Sequence, residues 1–134
     1  MKNRKLSFIP LSFTVLAVLC VAKVALTQDP VAIAPGIYKV LLDNERVRIS
    51  EVKFKPGDKV GTHSHPDHAV YVMSAGTLQM IGADGKKKDV TVKVGDVIWA
   101  QAETHQTINT GATQVDLLVI ELKGTAKATT AAGH

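Results

Sequence analysis

A single cysteine, Cys20, occurs in the 134 residues, and no acidic residue precedes Asp29. Each scarcity excludes something. Cys20 sits in an apolar stretch near the N-terminus, so the rest of the chain can form no disulfide and offers no thiolate nucleophile or metal ligand. The bulky Leu19 before it argues against lipidation. The chemistry must therefore use histidine, carboxylate, amide or hydroxyl groups. A period of 3.6 is also missing beyond the N-terminal stretch, as are internal repeats at solenoid spacing.

The missing acids have an electrostatic consequence. Met1–Lys5 is basic and residues 6–22 are almost wholly apolar or small, the layout of a secretory leader. Pro10 interrupts this run, which is short of the roughly 20 residues that a spanning helix needs. We therefore expect residues 1–27 to be a signal peptide, cleaved near 25–28, or an N-terminal anchor. The protein would then be exported to the periplasm or secreted, with contact to the membrane only through this segment. Four of the 16 basic residues (Lys2, Arg4, Lys5, Lys23) and none of the 12 acidic ones lie there, so the remainder carries twelve of each. The pI of 9.3 thus belongs to the leader and gives no support for nucleic-acid binding. Lys86-Lys87-Lys88, beside Asp84-Gly85, reads as a solvated hairpin turn.

From Ile37 onward, short alternating segments are cut by Gly, Pro and Asp turns: "IYKVLL", "RVRISEVKF", "AVYVMS", "TLQMI", "DVTVKV" and "QVDLLVIEL". This predicts an all-β fold, a single antiparallel jelly-roll barrel over residues 37–123. Residues 28–36, with two prolines, are expected to be an extended arm able to lend a strand to a partner. Residues 124–134, ending in His134, are expected to be a loose tail.

"GTHSHPDHAVYVMSAG" places His63, His65 and His68 within six residues. On a strand, His63 and His65 point to one face, close enough to share an ion. His105, in a second strand-like segment, could be brought opposite them by a small barrel. Neutral imidazoles suit divalent transition ions such as Fe, Zn, Mn or Ni and leave open positions for water or substrate.

These motifs resemble those of the cupin superfamily, small jelly-roll barrels with ligand sites inside the barrel. Gly57, five residues, His63-x-His65 and a closing Gly76 match the first motif; Gly95-Asp96 leading to His105 and Asn109 matches the second. The resemblance implies that His63, His65 and His105 are metal ligands. The usual glutamate ligand would fall at Ala69, and Gln101, Ala102 and Glu103 occupy the region where the second motif has Pro and Gly. His68, Asp67 or Glu103 could replace the missing carboxylate, or the site could be three histidines and water. By strand parity Tyr71, Met73, Thr107 and Asn109 would line the cavity. Tyr71 would be an acid or a packing residue, Glu103 a second catalytic candidate, Asn109 a loop anchor, and Trp99 a core or interface residue. The resemblance further implies a metal-dependent oxygenase, isomerase or decarboxylase with a small anionic or chelating substrate. A non-catalytic small-molecule-binding module is the alternative, and a homodimer is expected in either case.

Overall fold

The computed structural model describes residues 28–124. The expected leader (residues 1–27) and nearly all of the expected tail lie outside the described residues. Nine strands follow one helical turn: β1 (Tyr38–Asp43), β2 (Val47–Phe54), β3 (Lys59–His65), β4 (His68–Val72), β5 (Gly76–Gly82), β6 (Lys87–Val92), β7 (Val97–Ala100), β8 (Glu103–Asn109) and β9 (Val115–Leu122). They form two antiparallel sheets, in the orders β1-β2-β9-β4-β7 and β3-β8-β5-β6. These sheets face each other as a jelly roll.

Alternation along each strand builds the core. In β9, Val115, Leu117 and Val119 point inward, and in β2 Val52 and Phe54 meet them. Val60, Leu78 and Val92 come from the opposite sheet. Tight turns join the strands, with Gly57, Gly85 and Gly95 at positive φ, where a side chain would be strained; of the three, only Gly85 closes a hairpin, that of β5 and β6. Asn109 is buried and does act as an anchor. Its amide donates to the carbonyls of Phe54 and Thr113, both at 2.8 Å, and its oxygen accepts from the Gly111 N–H.

The arm departs from expectation. Residues 30–33 form a helical turn, α1 (Pro30–Ile33), because Pro30 fits the first helical position and Asp29 caps it, accepting from the Val31 N–H at 3.0 Å. Gln28 also accepts a backbone hydrogen bond from Ser64 of β3. Residues 28–36 are thus folded onto their own barrel rather than extended as a free strand.

Candidate metal centre

A defect in β3 aims the histidines. The pairing of β3 with β8 shifts between Val60 and His63, where Gly61 and Thr62 together oppose Gln106. This bulge lets Val60 and His63 both face inward although they are three positions apart. It also lets the Gly61 carbonyl accept from His63 Nδ1 at 2.8 Å. His63 lies directly across from His105 in the ladder, so their rings meet, with centroids 4.6 Å apart. The His65 ring lies 4.8 Å from that of His63 and 5.3 Å from that of His105. One ring nitrogen from each of the three lies within 4.8 Å of the others. Nitrogens sharing an ion at about 2.1 Å lie roughly 3–4 Å apart. A small torsional adjustment closes the difference.

Tautomers are set by the surroundings. Carbonyls and carboxylates only accept, so His63, His65 and His68 must each carry a proton on Nδ1: His63 donates to Gly61, His65 to Glu121 Oε1 at 2.7 Å, and His68 to the Pro66 carbonyl at 2.8 Å. Each therefore keeps a lone pair on Nε2. Such outer hydrogen bonds orient metal-binding imidazoles. Two buried ring nitrogens, His63 Nε2 and His105 Nδ1, have no hydrogen-bond partner among the described residues. Glu103 Oε1 is 3.1 Å from His105 Nδ1 but out of line for a hydrogen bond. Leaving such atoms dry is costly unless something binds them. A divalent ion fits this donor set.

Protonation is resisted. Burial lowers the His63 imidazole to about 4, and the neighbouring His105 and His65 rings lower it further against the opposing Gly61 hydrogen bond. Burial likewise lowers His105, with Glu103 opposing. His63 and His105 are thus disposed to stay neutral, the state that ligates metal.

Glu121 was not evident among the sequence candidates. It is 3 % exposed, on the inward phase of β9, which is otherwise apolar on that face. Burial alone would raise its carboxyl, but the hydrogen bonds from His65 and Arg48 outweigh this and hold it down to about 2. Arg48 Nε donates to Glu121 Oε2 at 2.5 Å, and its Nη1 donates to Asp29 Oδ2 at 2.9 Å. An ionic chain thus runs from the arm to His65. The signal was available: a lone charge in phase with Val115, Leu117 and Val119. The aromatic group beside the histidines is Tyr38, with its ring 6.3 Å from His63 and 6.4 Å from His65. Burial and then Glu121 raise its phenol.

Other candidates fall elsewhere. Strand parity does not carry from His65 to Tyr71, because the chain crosses between sheets at Pro66-Asp67. On β4 the inward residues are His68, Val70 and Val72, whereas Ala69 and Tyr71 face out. Tyr71 is 41 % exposed and Met73 is also exposed, which corrects the expectation that they line the cavity. Ala69 is likewise not the position from which a fourth ligand would reach inward. His68 is buried, its ring centroid 4.8 Å from that of His65. Asp67 accepts from the Ala102 N–H at 2.7 Å, pinning the loop before β8 rather than serving an imidazole. Thr107 is buried and lines, with His65, His68, Glu103 and His105, a small cavity of about 80 Å³. Trp99 is 58 % exposed on β7 and belongs to no core.

These shifts predict acid sensitivity for the metal-free protein. His63 is depressed from 6.5 to about 4, so its contribution is complete above about pH 6.5 and is lost as pH falls through about 4. Glu121, depressed from 4.5 to about 2, contributes above about pH 4.5 and loses this as pH falls through about 2. Denaturant melts should show stability falling by on the order of 2–3 kcal/mol between pH 7.5 and 4. Equal stability at both pH values would contradict the buried neutral cluster.

Fold and site together define a small jelly-roll barrel with a three-histidine group inside, able to hold a metal ion. Residues 50–121 match the cupin domain family, and the chain belongs to that family. It is similar to a cupin domain from Bordetella pertussis Tohama I, at 31 % identity and a TM-score of 0.61 over 66 % of this chain and 93 % of that one. It also shares its fold with an uncharacterized double-stranded β-helix protein from Klebsiella pneumoniae (22 % identity, TM-score 0.55, 67 % and 78 % covered). The same holds for the polyketide cyclase RemF from Streptomyces resistomycificus (20 % identity, TM-score 0.51, 65 % and 64 % covered). No curated protein matches the sequence.

Proposed function

We propose that the protein is a metal-dependent cupin enzyme, an oxygenase or isomerase acting on a small anionic or chelating substrate at a histidine-only centre. The observation that carries this reading is the convergence of His63, His65 and His105, two of them with buried ring nitrogens that no described residue satisfies. His68, buried beside His65 with its Nε2 lone pair free, is the fourth ligand in this reading. A bound divalent ion would act as a Lewis acid on substrate oxygen or lower the pKa of a bound water. Because the ligands are neutral, they leave the ion its full charge, which favours an anionic group. Around it, Glu121 orients His65, and Glu103 stands beside His105 as the candidate proton-transfer group.

A second reading, a non-catalytic binding module, rests on a specific observation: no inward position of β4 carries a carboxylate. Elemental analysis of reconstituted protein should find one divalent transition ion per chain, and absence of metal would end the enzyme reading. Oxygen uptake or isomerisation across a panel of organic acids and diketones separates enzyme from module.

Export belongs to the same proposal and is supported by the basic-then-apolar order of residues 1–22. Homodimerisation is supported by the outer face of the five-stranded sheet. There Leu118, Tyr71 and Val97 lie in one cross-strand row, and Ile120, Ala69 and Trp99 lie in the next. Exposed apolar rows of this kind mark interfaces.

A further inference from the structure

A second, larger cavity of about 410 Å³ adjoins the histidines, with walls that include residues of β6 and β7, one edge strand from each sheet. It shares Leu78, Met80, Glu103, His105 and Leu117 with the small central cavity, so the two lie against each other. Its composition is lopsided. One part is aliphatic, built from Val70, Leu78, Met80, Val90, Ile98 and Leu117, and the other is ionic. Among the described residues that line it, none has a hydroxyl or amide side chain.

The ionic part holds two lysines and two carboxylates, but they are not all paired with one another. Lys86 is paired with Asp84 at 3.4 Å, and Glu103 faces His105. Lys88 forms no salt bridge among the described residues and is exposed. Lys88 is therefore an unpartnered cation on the exposed rim, while the Glu103 carboxylate stands apart from it beside His105. The apolar walls, to which Val92 also contributes, favour an apolar body by about 25 cal/mol per Å² buried. A polyol placed against them would lose its hydrogen bonds to water and find no replacements.

We infer that this cavity binds a small carboxylic acid with an apolar body, its tail among the aliphatic walls and its carboxylate directed to Lys88 and the histidine centre. The volume, near the lower end of the 300–1,000 Å³ typical of ligand pockets, limits the body to a short alkyl chain or a single ring. Sugars, sugar acids and nucleotides are excluded by the same walls. The inference rests on the metal reading only for the inner end of the ligand.

Isothermal titration of the zinc-loaded protein with hexanoate, hexan-1-ol and gluconate tests it. Hexanol keeps the tail without the charge, and gluconate keeps the charge on a polar body. Hexanoate should bind at least about tenfold more tightly than either. Ile98→Asp, at a half-exposed wall position, should weaken hexanoate at least about tenfold while zinc content stays at one per chain. Lys88→Glu, on the exposed rim, should weaken hexanoate but not hexanol. Gluconate binding as tightly as hexanoate, or hexanoate binding unchanged in Ile98→Asp, overturns the inference. Failure of the metal reading registers separately, as absence of zinc from the unaltered protein.

Discussion

Replacing His63 by Ala is expected to lower affinity for a divalent transition ion by at least about 100-fold, an effect larger than the 10–100-fold typical of losing an outer partner. His63 is fully buried, and its Nδ1 is committed to Gly61, so its only remaining function at the centre is the orphaned Nε2. No other described imidazole can take its place, because the bulge at Gly61-Thr62 aims this one position. The loss should also appear in stability. At a metal concentration 100–1,000 times Kd, binding to the native state adds about 2.7–4 kcal/mol. The unaltered protein should show that increment and His63→Ala should not. Metal titrations giving the same Kd for both proteins would remove His63 from the centre.

Glu121→Ala should be the most destabilising single change at the site. It leaves the Arg48 guanidinium, only 17 % exposed, with Asp29 as its sole partner, and it leaves the His65 Nδ1–H without an acceptor. Breaking a buried pair by removing one member costs about 3–5 kcal/mol. Metal affinity should fall a further 10–100-fold through the freed His65 ring. The double variant Glu121→Leu with Arg48→Met separates the two effects. An apolar pair of similar volume should recover most of the stability, as buried ion pairs often permit. It should not recover metal affinity, since His65 still has no acceptor. Chemical denaturation and metal titration on the same samples read both. Full recovery of affinity in the double variant would show that Glu121 does not orient His65.

The expected jelly roll over residues 37–123 agrees with an architecture of nine strands in two facing sheets, because alternation and turn chemistry are local properties that burial reinforces. The side-by-side placing of His63 and His65 was legible for a related reason, since i, i+2 spacing on a strand is geometry that the chain carries with it, whereas His105 was joined to them through the cupin resemblance. Parity failed beyond His65. Pro66-Asp67 passes the chain to the other sheet, so Tyr71 and Met73 turn to the outside and His68 turns in. A local turn in a row of letters does not announce a change of sheet. Nor did two prolines in the arm distinguish an extended segment from the capped turn that Asp29 and Pro30 make.

By itself, then, the amino-acid order determined the strands, the barrel class, the absence of thiol chemistry, and which imidazoles could meet. Only the tertiary structure decided what surrounds them: Glu121 from the last strand, Arg48 from the second, Asp29 from the arm, and Tyr38 from the first. The physical reason is range. Side-chain direction follows from neighbours one or two residues away, whereas Arg48 and Glu121 are 73 residues apart and meet only because β2 and β9 pair in one register.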